Sequence, residues 1–185
     1  MTFDFPGYTL NFVQRQQCRD ASDHVCTYIY KFYSPVTRYI YIVRAEYHQA
    51  DAFAVKFYAK QHRHSDFRYN KITNKGDIGN ILVTCAKTVP LLLKEHPSAS
   101  FGFIGSRTID RTSGKVEGIA SNQRFRTYVY FAAKKFGQQT FAHFEYPAIS
   151  GYLLVNRNCE KTGIKEREII KMFSGTYHHL PDIVL

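Results

Sequence analysis

Apolar and aromatic side chains alternate with polar ones, wholly or in part, through four stretches of the first sixty residues: 8–13, 25–33, 37–44 and 52–59. Period-two patterning bounded by turn residues predicts strands. Ser34-Pro35 breaks the second from the third. Short links between successive strands favour an antiparallel meander. From Gln61 to Lys75 the chain turns polar, and Gly76 closes this segment as a loop or a short edge strand. The period then changes. Ile78, Ile81, Leu82, Cys85, Val89, Leu92 and Leu93 recur at helical spacing, which predicts an amphipathic helix from 78 to 95. Asp77 stands at its N-cap, where a carboxylate can accept from free amides. Pro90 is expected to kink it, and His96-Pro97 to end it.

The second half repeats these signals. Residues 101–106 read as a buried strand, and the hydrophilic stretch 107–120, with Gly114 and Gly118, as a mobile loop. Ser121 or Asn122 can cap a helix whose stripe is Phe125, Tyr128, Val129, Ala132 and Phe136, stopped by Gly137. Strands at 140–146 and 151–155 are joined by a hairpin at 147–150. A last helix is expected at about 165–173, and a loose tail from about 175 to 185. Grouped rather than alternating elements predict an α+β fold: a mainly antiparallel sheet with an N-terminal meander, and two or three helices packed on one face. The 185 residues carry no internal repeat and no dividing linker, so one domain over 1–185 is expected.

Composition narrows the class. Hydrophobic residues make up 44% and charged residues 22%, the balance of a globular protein. No run approaches the roughly 20 apolar residues of a membrane span. The first six residues lack a basic head and an apolar signal core, so a cytoplasmic location and no membrane partner are expected. The four cysteines, Cys18, Cys26, Cys85 and Cys159, have no zinc-knuckle or thioredoxin spacing. Cys85 falls in the helical stripe as a core residue, and a Cys18–Cys26 bridge is left open.

The net charge of +10 is concentrated. Between Lys56 and Lys75 six basic residues meet only Asp66. Between Arg107 and Lys135 seven meet Asp110 and Glu117. The remaining chain is balanced at twelve of each sign. Localised positive potential attracts polyanions, and neutralised phosphates release counterions. The sharpest local feature is Gln123-Arg124-Phe125-Arg126-Thr127-Tyr128. It sets Arg124 and Tyr128 four apart on one helix face, with Arg126 on another. Guanidiniums beside a helix start form a phosphate seat, because free amides and the helix dipole add to them. The strand end Gly105-Ser106, followed by Arg107, offers a hydroxyl and a close backbone approach. The Lys56–Lys75 region, with Lys60, Arg63 and Arg68, forms the second contact region. The competing reading is that Arg124 and Arg126 pair with surface carboxylates.

His62 and His64, His178-His179, and His143 are the histidines that chemistry would use. None has metal-ligand spacing, and surface positions are favoured, so no metal and no cofactor is expected. A histidine can shuttle protons in RNA cleavage. The 14 tyrosines and 15 phenylalanines serve mainly as core area. No phosphate-loop and no serine-elbow motif is present.

Asp77 with the 78–95 helix, the strand ending in Gly105-Ser106, the Arg124-x-Arg126-x-Tyr128 segment and the closing strand 152–155 carry a resemblance. Over about 76–158 the chain resembles a family of small bacterial proteins of unknown function. Members place an Arg-x-Arg-x-Tyr helix just after a Gly-Ser strand end. Here about fifteen residues, 107–121, intervene. The resemblance implies a compact α+β fold and no assigned activity.

The function expected is nucleic-acid binding, RNA in preference to DNA, by a basic bacterial protein of toxin–antitoxin or defence type. A metal-independent ribonuclease is its enzymatic version. The binding residues expected are Arg124, Arg126, Tyr128, Ser106, Arg107, Lys60, Arg63 and Arg68. The alternative is a non-enzymatic module that binds a partner through a sheet edge. A protein partner such as an antitoxin, and a homodimer, are compatible with either.

Overall fold

The computed structural model of the protein describes residues 4–18, 24–71, 76–109, 115–159 and 161–177. Its strands are β1 (Asn11–Gln17), β2 (His24–Ser34), β3 (Tyr39–His48), β4 (Ala52–Ala59), β5 (Ser100–Ile104), β6 (Phe141–Tyr146) and β7 (Gly151–Asn156). Its helices are α1 (Ile78–Ala86), α2 (Thr88–Glu95), α3 (Gln123–Lys135) and α4 (Thr162–Thr176). The fold is α+β. The strands form one sheet in the order β1-β2-β3-β4-β5-β7-β6. β1 to β4 are the expected antiparallel meander. β4 and β5 pair in parallel, which α1 and α2 make feasible as the crossover between them.

Strand alternation sorts the core into two faces. Phe53, Val55, Phe101, Tyr152 and Leu154 point with Tyr28, Phe32 and Val43 toward Ile81, Cys85, Val89 and Leu92 of α1 and α2, and toward Phe125 and Ala132 of α3. Ala52, Ala54, Leu153 and Val155 face the other way, under Ile169, Ile170 and Phe173 of α4. Three helices thus share one face as expected, and α4 covers the opposite one. The physical reason is in β4 and β7, whose consecutive apolar residues are buried on both sides and need two covers. Gly102 lets α4 come close: a Cβ there would lie 2.6 Å from Phe173 Cε2.

Several local expectations are corrected. The predicted strand over 8–13 lies later, at Asn11–Gln17, because Tyr8 is held elsewhere: its amide donates to Thr84 Oγ1 at 2.8 Å and its hydroxyl to Asp77. Asp77 occupies the N-cap position but caps no amide. Its buried carboxylate accepts from Tyr8 Oη, Ser34 Oγ and Asn80 Nδ2. The kink in the 78–95 helix falls at Lys87, three residues before Pro90. Pro90 has no N–H for the Ala86 carbonyl, so the break appears one turn upstream and Pro90 sits in the first turn of α2. Cys18 and Cys26 are not bridged to each other. The last helix is longer than expected. The tail beyond 177, with His178-His179, lies outside the described residues, as does the centre of the 107–120 loop. Its flanks meet through an antiparallel bridge between Ile109 and Val116. Among the described residues no helix is long and apolar enough to cross a membrane.

Candidate nucleic-acid interface

β4 and β5 pair over only three residues each, from Ala52↔Ser100 to Ala54↔Gly102. Beyond that register they diverge, although β4 continues to Ala59 and β5 to Ile104. The gap opens a cavity of about 1110 Å³ at the carboxyl ends of the only parallel pair among the described residues. That is where open sheets with crossover helices place ligands. Tyr41, Phe57, Phe103 and Tyr128 line it from the α1–α3 side. Lys56 and Tyr58, of opposite strand parity, line it from the α4 side with Phe173 and Tyr177.

The two basic stretches meet across this opening. The segment after β4 makes a short 3-10 turn (Lys60–His62) and folds back toward α3. Arg124, half-buried in the first turn of α3, donates to the carbonyls of Tyr69 and of Lys71, the latter at 3.0 Å. Asn70 Nδ2 donates to the Arg107 carbonyl at 3.0 Å. The Arg68 guanidinium lies over the rings of Tyr58 and Tyr69, at 5.4 and 5.0 Å from their centroids. Burial works against the Arg68 charge, but the neighbouring tyrosines outweigh it and its pKa is raised. The ion pairs among the described residues involve Arg44, Lys56 and Lys165 only. Arg63, Arg68, Arg107, Arg124 and Arg126 therefore keep their charge unneutralised by a contacting carboxylate there. Arg124 is spent on neutral carbonyls, which leaves its positive field intact.

The helix start is a different matter. Asn122, 2% exposed, caps α3 with its Oδ1 on the Phe125 amide at 2.9 Å. Its Nδ2 donates to the Gly105 carbonyl, and its amide to Ser150 Oγ at 3.0 Å. Glu117 takes the next position: Oε1 accepts from the Gln123 amide at 2.6 Å and Oε2 from the Thr108 amide at 3.1 Å. Burial raises the Glu117 pKa, but these amides and the Arg126 charge outweigh it and hold it low. The expected phosphate seat on free α3 amides is thus corrected: the chain's own carboxylate occupies it. Asn122 joins β5, the β6–β7 turn and α3, so Asn122→Ala is expected to cost about 2 kcal/mol in urea unfolding, more than an exposed cap.

Five of the eight expected binding residues line the cavity: Arg68, Ser106, Arg107, Arg124 and Tyr128. Lys60 and Arg63 lie on the same loop outside it, Arg63 exposed with its Nε donating to His64 at 2.7 Å. Arg126 is exposed on the flank, donating to the Ser121 carbonyl. Burial pushes Tyr128 up to about 12, so it acts as a neutral hydroxyl. Of the candidate histidines among the described residues His62 alone lines the cavity, and burial, then Lys71, lowers its pKa. His143 stands apart on β6, with Nδ1 2.6 Å from Tyr152 Oη. Sequence reasoning placed Lys71 in the second contact region but missed Tyr41, Tyr58 and Tyr69. The one available signal was that tyrosines interleave with the basic residues of 56–71.

No family model, no curated protein and no solved structure matches this chain.

Proposed function

We propose that the protein binds nucleic acid, single-stranded RNA in preference to DNA duplex, along the basic rim of the β4/β5 cavity. The observation that carries this reading is the meeting of the two basic stretches at one opening, tied by Arg124 to the 69–71 carbonyls, with no acid in contact with the arginines of those two stretches among the described residues. Arg63, Arg68, Lys71, Arg107 and Arg124 meet the phosphates, with Lys60 and Arg126 at the two ends. Tyrosines beside cations suit unstacked bases, which single strands present. The test is purification at low salt, followed by the ratio of absorbance at 260 to 280 nm before and after nuclease. Co-purifying nuclease-sensitive material is expected, and protein free of it at 50 mM salt speaks against the reading.

One observation favours a second reading, a sheet-edge interaction module. β1 is an edge strand exposed along all seven residues, with Phe12 at 58%. Such an edge presents unpaired backbone groups to another strand. That reading expects a dimer or a bound protein that persists unchanged as salt is raised.

A further inference from the structure

We propose that the cavity between the diverging ends of β4 and β5 is a pocket for one unpaired nucleotide, with the base inside and the phosphate on Arg68 and Arg124. The proposal deepens the nucleic-acid reading of the same site and rests on it for the phosphate contacts.

Size comes first. Ligand pockets run to roughly 300–1,000 Å³, and about 1110 Å³ leaves ample room for a base and its sugar. The walls come second. Tyr41, Phe57, Phe103 and Tyr128 offer aromatic surface, and ring stacking accepts any base because every base has a π-face. Third, the walls hold unmet polar groups. Among the described residues the Tyr41 hydroxyl, on a residue 3% exposed, has no hydrogen-bond partner, and neither has the buried Nε of Arg68. Such orphans are uncommon in folded proteins and call for an absent partner. Tyr41 and Arg68 both line this one cavity, with the two orphan atoms themselves shielded from solvent.

The polar groups also select the ligand. Tyr41 has the strand parity of the α1–α3 face, while Arg68 lies over Tyr58 on the other. The cavity runs between them through the gap in the sheet. A ligand with a planar, hydrogen-bonding end and an anionic end fits that division. Arg124 uses two of its five N–H donors on loop carbonyls and keeps the others for an anion. A purely apolar ligand would leave both orphans unmet and place its surface beside two guanidiniums. Among the described residues no cluster of His, Cys, Asp and Glu could hold a metal ion in their place.

Titration calorimetry of the full chain with AMP, CMP, GMP and UMP, against ribose 5-phosphate, tests the pocket. The nucleotides are expected to bind at least tenfold more tightly than ribose 5-phosphate. Tyr41→Phe is expected to weaken them about threefold to tenfold, yet to raise the melting temperature of the free protein by about 2–4 °C, since it removes a buried orphan. A hydroxyl without a binding role would give the rise in melting temperature without the loss of affinity. Equal binding of ribose 5-phosphate, or nucleotide affinity untouched by Tyr41→Phe, overturns the pocket. Oligo(U) compared with an abasic chain of equal length locates the natural source. Tighter binding of oligo(U) marks a base within a strand, and equal binding alongside nucleotide discrimination marks a free nucleotide. Salt-sensitive RNA binding without nucleotide discrimination removes the pocket and leaves the interface. Nucleotide discrimination without RNA binding does the reverse.

Discussion

Replacing Lys56 by Met is expected to lower stability at pH 7 by about 3 kcal/mol, the low end for stripping a buried carboxylate of its partner. Glu46 is 7% exposed on the α4 face of the sheet. Lys56 Nζ stands 2.6 Å from its Oε2, and Tyr177 Oη donates to the same oxygen at 2.7 Å. Arg44 Nε is 3.7 Å from Oε1, a weaker contact that keeps the loss from reaching the upper end. Burial alone raises the Glu46 pKa. The Lys56 charge and the hydrogen bonds from Lys56 and Tyr177 outweigh it, so the pKa is lowered. A folded-state pKa below the ordinary carboxylate value gives stability that is present above about pH 4.5 and is lost as pH falls through the folded value. Without Lys56 burial dominates and the sign reverses: the variant is penalised most at neutral pH and least in acid. Urea unfolding at pH 7 and pH 4.5 should therefore show a deficit that shrinks on acidification. An equal deficit at both would assign the loss to packing of the lysine stem. Glu46→Gln added to Lys56→Met should recover most of it, because the amide oxygen still accepts from Tyr177 and no charge is left buried.

Legibility of this fold tracks how local the determining physics is. β4 and α3 were readable because their patterns close within themselves: aromatic alternation bounded by turns, and a capped stripe over Asn122 to Phe136. The displaced kink was readable in kind but not in place, since the carbonyl that Pro90 leaves unsatisfied lies four residues earlier. α4 on the second face was half-written in Ala52–Val55 and in Leu153-Leu154-Val155, runs too continuous for a one-sided sheet. The site was less accessible. Arg124 and Tyr128 could be placed on one helix face, but that Arg124 would clasp the carbonyls of residues 69 and 71 depends on a chain reversal more than fifty residues away. Glu117 was counted only as a charge. Its capture of the Gln123 amide depends on the return of the 107–120 loop, which no spacing encodes. The cavity exists because β4 and β5 stop pairing after Ala54 and Gly102, a tertiary event with no one-dimensional trace beyond the glycine.

Affinity for single-stranded RNA is expected to fall about a hundredfold between 50 and 200 mM salt. Five cations at the rim, Arg63, Arg68, Lys71, Arg107 and Arg124, each displacing the counterion share of one phosphate, give a slope of log affinity against log salt of about −3.5. Arg63→Ala with Arg107→Ala is the informative pair. Both side chains are exposed, and the tie between the two loops uses the Arg107 carbonyl, which truncation leaves in place. The pair should flatten the slope to about −2 and weaken binding at low salt, with unfolding unchanged. Arg124→Ala is a poorer probe, since it also releases the 69–71 backbone. Arg126→Ala, on the flank beside Glu117, should change the slope by less than one phosphate's worth. Fluorescence anisotropy across five salt concentrations measures all of these. A wild-type slope shallower than −1, or one that the Arg63/Arg107 pair does not flatten, would remove phosphate recognition from this rim. The exposed edge of β1 would then be the better place to look for a partner, because strand pairing depends on backbone groups that salt screens little.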